Sequence, residues 1–105
     1  MTNESFTAMM EARLVAIRET LGRKAKEYAG PADRLHNFKR GAEVLGEDPA
    51  QTCLGLFVKH LVSVMDIVDE VARTQNPPDT ALLDEKLGDA INYLVLLEAI
   101  LKETD

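Results

Sequence analysis

The segment that most restricts this chain is the run Thr74, Gln75, Asn76, Pro77, Pro78 and Asp79, set between two long stretches of helical period. Adjacent prolines cannot continue a helical hydrogen-bond ladder, and asparagine and aspartate favour turns. A connection this short returns the chain antiparallel to itself, so the flanking stretches form a helical hairpin. The first arm starts at Asp48-Pro49, a side-chain acceptor at the cap with proline in the first turn, and runs to about Arg73. The second runs from about Thr80 to Lys102 and carries Leu83, Leu87, Ile91, Leu94 and Leu101.

The N-terminal half has the same period. Phe6, Met9, Met10, Leu14, Ile17 and Leu21 recur at three- and four-residue steps, which predicts a helix over about residues 4–28 ended by Gly30 and Pro31. Asp33 is placed to cap a short helix reaching Leu45, with Phe38, Ala42 and Leu45 inward and Gly46 closing it. There is no period-2 run of β-branched residues and no Asn-Gly turn, so no sheet is expected. The reading is a single all-α domain over residues 1–105, a four-helix bundle-like fold with a long antiparallel C-terminal hairpin. Both hairpin arms are apolar on more than one face: Leu54, Phe57, Val58, Leu61, Val62, Val64, Met65 and Val68 on one, Leu94, Val95, Leu96, Leu97, Ile100 and Leu101 on the other. One chain buries only part of that surface, so a homo-oligomer is expected.

Composition narrows the function classes. The net charge of −6 argues against a protein that coats nucleic acid, which needs a cationic excess to neutralise phosphates. No membrane span is expected, because Lys59, His60 and Asp66 interrupt the most apolar stretch. The N-terminus lacks the basic start and apolar run of a signal peptide. The single cysteine, Cys53, allows no intrachain disulfide and no cysteine metal cluster, and a reducing, cytoplasmic setting follows as the expectation. Charge is split along the chain: residues 13–40 hold eight basic and three acidic side chains, residues 66–105 three basic and ten acidic.

The acidic half suggests chemistry. Counted from Pro77, Asp66 and Asp89 lie at nearly equal distances from the turn, as do Glu70 and Glu85, so the hairpin is expected to set them at equal heights. Asp66 and Glu70 are one helical turn apart, as are Glu85 and Asp89. Four carboxylates meeting between two helices oppose one another's ionised forms, and a hard cation such as Mg²⁺ or Mn²⁺ resolves that conflict with oxygen ligands. The same acids spread around their helices and solvated need no metal. Lys59 and Ser63 share the face of Asp66 and Glu70, and Lys59 has two roles open, a phosphate contact or neutralisation of Asp66. His60, among apolar neighbours, reads as a hydrogen-bonded core or interface histidine, while His36 gives no signal.

The basic half holds the most distinctive run in the chain. Tyr28, Asn37 and Phe38 stand near Lys24, Lys26, Arg34, Lys39 and Arg40, an aromatic–amide–cation mixture suited to a nucleotide's base and phosphates. A turn, a cap and one core phenylalanine explain the same residues without a ligand. Asn92 follows Asp89 along the Glu85–Asp89 face and joins the binding candidates, whereas Tyr93 fits a core position equally well. There is no glycine-rich phosphate loop and no supported Ser/His/Asp or Cys/His arrangement.

Asp-Ile-Val-Asp-Glu at 66–70, a spacer, and the run from Glu85 to Leu97 together resemble the paired acidic motifs of the MazG-like, all-α nucleoside triphosphate pyrophosphohydrolases. The segments around residues 26–40 and 59–66 also look like small phage-encoded relatives of that superfamily. The superfamily carries Glu-x-x-Glu on one helix and Glu-x-x-Asp on the next. Here Asp66 and Asp69 stand for the first pair and Asp89 matches the second, but Lys86 occupies a glutamate position and Glu85 stands one residue early. The resemblance implies an oligomeric helical bundle that binds Mg²⁺ and cleaves a nucleotide between its α and β phosphates. Metal would bind among Asp66, Glu70, Glu85 and Asp89, with Glu70 or Glu85 orienting the attacking water; Arg34, Asn37, Lys39, Lys59 and Asn92 would hold the substrate. The alternative, which Lys86 favours, is a non-catalytic interaction module that kept the fold and lost the chemistry.

Overall fold

The computed structural model describes residues 1–27 and 33–103, the side chains of 24–27 excepted. Among the described residues it forms four helices and no strand: α1 (Asn3–Glu27), α2 (His36–Leu45), α3 (Pro49–Thr74) and α4 (Thr80–Lys102). The side chains of Lys24 and Lys26, and the residues Tyr28, Gly30 and Pro31, all singled out in the sequence, lie outside what is described.

Local chemistry sets most of the ends. At the start of α3, Pro49 occupies the first turn and the Asp48 N–H donates to Gln51 Oε1 at 2.9 Å. At the start of α4 the Asp79 carboxylate accepts from the Leu82 N–H, again at 2.9 Å. Gly46 ends α2 with φ 69°, the left-handed conformation in which glycine carries no steric cost. The start of α2 differs from expectation. Asp33 Oδ1 accepts from the Leu35 N–H at 2.9 Å, which closes a side-chain turn and delays the helix to His36.

Among the described residues α3 packs on both α2 and α4, and α1 packs on α4. The buried apolar residues, Leu35, Ala42, Cys53 and Ala90, come from the α2 segment, α3 and α4, so the core sits where those three meet. Of the three α2 residues expected inward, Ala42 is buried, Phe38 half-buried and Leu45 exposed, because Leu45 is the last helical residue and edges a cleft. α1 crosses α4 at Gly88, where an added Cβ would lie 2.8 Å from Arg13 Nη1. From there Arg13 donates to the Asp84 carbonyl at 3.3 Å.

Much apolar surface has no cover. Phe6, Met9, Leu14, Leu54, Val58, Val62, Met65, Val68 and Leu94 are all exposed, and the radius of gyration is 16.1 Å. A compact domain of this length has a radius of about 13 Å. By length and composition α3 is also apolar enough to cross a membrane, with a window of mean hydropathy 1.3 despite Lys59, His60 and Asp66. The core helix of a soluble protein meets the same criteria but is mostly buried, whereas 11% of this window is buried.

Candidate functional site

α2, α3 and α4, with Leu21 of α1, border a cleft of about 610 Å³. Arg34, Asn37, Asp89 and Asn92, chosen from separate parts of the sequence, all line it, beside Phe38, Glu47, Thr52 and Tyr93. Gly41 and Gly55 line the facing helices, and a Cβ added at Gly55 would meet open space. A Cβ added at Gly41 would instead meet Thr52 at 3.5 Å, an ordinary contact, so Gly55 is the position whose missing side chain leaves room.

The aromatic side of the cleft is organised around Tyr93. Its ring stacks on His60 at 4.7 Å between centroids and meets Phe38 edge-on at 6.4 Å. Burial, followed by Cys53 and Asp89 nearby, pushes the phenol's pKa above its ordinary value of 10.0, so the hydroxyl keeps its proton at neutral pH. Burial likewise raises the pKa of the Cys53 thiol, whose Sγ lies 3.7 Å from the Tyr93 carbonyl, and it stays a thiol. Polar groups mark the rest of the cleft. The Thr52 hydroxyl donates to Glu47 Oε1 at 3.0 Å, and Arg34 donates to the Leu21 carbonyl at 3.4 Å. Asn92 is 8% exposed and its Oδ1 has no hydrogen-bond partner among the described residues. An unpartnered buried carbonyl costs roughly 1–3 kcal/mol, so this group is poised to accept a hydrogen bond.

The carboxylates do not stand as the hairpin count predicts. Asp89 Oδ2 lies 3.8 Å from His60 Nδ1, six residues before Asp66 and so about 9 Å along α3 from the expected height. The connection is the cause. Gln75 turns the backbone left-handed at φ 58°, and residues 76–79 then line a second cleft of about 440 Å³ together with Glu70, Val71 and Thr74. The chain thus doubles back beside the last turns of α3 before α4 begins, and α4 slides relative to the midpoint rule. Asp66 and Glu70 share that second cleft with Ser63, Asp79 and Lys86. Glu70 also pairs with Arg73 at 2.7 Å. Glu85 is exposed and lines neither cleft. Among the described residues no three His, Cys, Asp or Glu side chains group as a metal site.

Two lysines of the sequence reading also stand outside the first cleft. Lys59 is exposed, and its carbonyl accepts from the Ser63 hydroxyl at 3.3 Å. Lys39 joins Asp33 at 2.6 Å and Glu103 at 2.7 Å, tying the start of α2 to the end of α4. The hydrogen bond from Lys39 is the main cause that holds the Asp33 carboxyl below its ordinary value of 3.8. The bonds to Asp33 and then Glu103 raise the ammonium above its ordinary 10.5. A depressed carboxyl contributes stability above its unfolded value and loses it as pH falls through the folded one. A raised ammonium contributes below its unfolded value and loses it as pH rises through the folded one. Melting followed against pH should therefore drop more steeply below about pH 4 in the wild type than in Lys39→Met. Parallel curves would show that the tie contributes nothing.

Glu47, Thr52 and Tyr93 were not among the sequence-selected binding residues. The available signal was faint: small residues at Gly41 and Gly55, which only a fold sets against each other. No family model, curated protein or solved structure matches the chain.

Proposed function

We propose that the chain is a Mg²⁺-dependent nucleoside triphosphate pyrophosphohydrolase of the MazG-like kind, working from the α2–α3–α4 cleft. The observation that carries this reading is the convergence of Arg34, Asn37, Asp89 and Asn92 on one nucleotide-sized space beside Tyr93. Four carboxylates on one cation are not required. Mg²⁺ keeps several waters and is commonly held by one or two carboxylates together with substrate phosphates. Asp89, on this cleft, fits that smaller demand together with the substrate's own phosphates. When bound, the metal would offset charge on the phosphates. Arg34 would add a fixed cation for the phosphate oxygens, and Asn37 a hydrogen-bonding amide. Water attacks the α-phosphorus, the bond to the bridging oxygen breaks, pyrophosphate leaves, and a cleft carboxylate takes the water's proton.

In this reading the protein works as a homo-oligomer. The stripe Leu54, Val58, Leu61, Val62, Met65 and Val68 on α3, all exposed in the single chain, suits a second copy. The buried, unpaired Cys53 suits a reducing cytoplasm.

A second reading, a non-catalytic helical module, is favoured by the second cleft. There Lys86 shares the lining with Asp66, Glu70 and Asp79, and Glu70 is already paired with Arg73, so two cations offset part of the acidic charge without a metal. Incubating the protein with each common (d)NTP and Mg²⁺ or Mn²⁺, with detection of pyrophosphate, separates the two. Release from at least one nucleotide is expected; none from any would leave the module.

A further inference from the structure

Asn92 is the one described residue whose side chain has a buried polar atom without a partner, and it stands on the wall of the α2–α3–α4 cleft. None of the described residues satisfies Oδ1, although hydroxyl, amide and guanidinium donors lie elsewhere on the same lining. We propose that Asn92 is the base-reading residue: its Oδ1 accepts a hydrogen bond from a ring N–H or exocyclic amine of a nucleobase seated beside Tyr93 and Phe38. This rests on the nucleotide reading of the cleft and goes further, by assigning which group of the ligand is recognised and by which atom.

Three features support it. The atom is an acceptor, so its complement is a donor, and every common nucleobase carries one on its pairing edge. Its neighbour Tyr93 presents an aromatic surface already ordered by His60, which suits a planar ring. Gly55, where an added Cβ would meet nothing within 4 Å, leaves the space open on α3. A ligand without a donor would leave the oxygen as unsatisfied as it is in the free protein, so discrimination follows from a group already buried.

The test uses nucleosides, with neither phosphate nor metal, so that it stands apart from hydrolysis. Adenosine, cytidine, guanosine and uridine are titrated while the side-chain amide resonances of Asn92 are followed by NMR. Each nucleoside that binds is then compared with an analogue lacking its donor: purine riboside, pyrimidin-2-one riboside, or a ring-N-methylated base. At least one nucleoside should shift the Asn92 resonances, and its donor-less analogue should bind about ten-fold more weakly or worse. Asn92→Leu, which removes the orphaned oxygen at similar size, should bind parent and analogue equally weakly. If that variant does not fold, Gly55→Leu, which keeps Asn92 and fills the cleft, should abolish binding. Four nucleosides that leave Asn92 unmoved overturn the proposal, and so does equal affinity for parent and analogue in the wild type. Pyrophosphate release without nucleoside recognition at Asn92 would overturn this inference and leave the hydrolase reading standing. Nucleoside binding without release would do the reverse.

Discussion

Asp89→Asn should abolish pyrophosphate release and the stabilisation by divalent metal, with the fold unchanged. Asp89 is the one member of the sequence-derived carboxylate set that lines the larger cleft, and it sits 3.8 Å from His60. The substitution keeps size and shape while removing the anionic oxygen that would hold a hard cation. Metal at one hundred times its dissociation constant stabilises a one-site protein by roughly 2.7 kcal/mol, a rise of ~10 °C or more in a small domain. The wild type should show that rise with Mg²⁺ and nucleotide, and the variant should not. The loss in rate should be at least about 100-fold. Melting curves and pyrophosphate assays on the two proteins check both. A variant that retains the metal-dependent rise would move the cation to the Asp66–Glu70 cleft.

Val62→Asp should have the second large effect. In the single chain Val62 lies 47% exposed in the middle of the apolar stripe on α3. On a free surface such a change shifts stability by only about 0.5 kcal/mol. Pressed against a second copy, the new carboxylate would be buried without a partner, at a cost of several kcal/mol, roughly 3 or more. Light scattering and denaturant unfolding should show dissociation together with a large loss of stability. A variant with wild-type mass and midpoint would place the contact between copies elsewhere, and a wild type that scatters as a monomer would remove it.

The parts of this fold that were legible in the sequence are those fixed by neighbours along the chain. Asp48 and Pro49 signal the start of α3 because capping involves groups within a few residues, while the parts of Gln51 at that end and of Asp79 at the start of α4 come from the structure. The start of α2 was less legible, since Asp33 serves equally well as a cap or as a turn, and here it bonds the Leu35 N–H. What the sequence hides is displacement along the helix axes. Counting from Pro77 treats the connection as weightless, whereas the left-handed Gln75 and the segment beside Glu70 and Thr74 carry α4 back along α3. That slide separates Asp66 and Glu70 from Asp89. The tie of Lys39 to Glu103 was equally out of reach, because its partners come from opposite ends of the chain. The convergence of Arg34, Asn37, Asp89 and Asn92 was legible only as residue types suited to a nucleotide. Their shared cleft comes from the packing of three helices.

The central claim concerns which bond is cut, and phosphorus NMR of a nucleoside triphosphate incubated with protein and Mg²⁺ reads that directly. The account predicts that the three triphosphate resonances give way to those of a nucleoside monophosphate and pyrophosphate, faster with wild type than with Asp89→Asn. Appearance of a nucleoside diphosphate and inorganic phosphate, or a triphosphate spectrum that never changes, would contradict it.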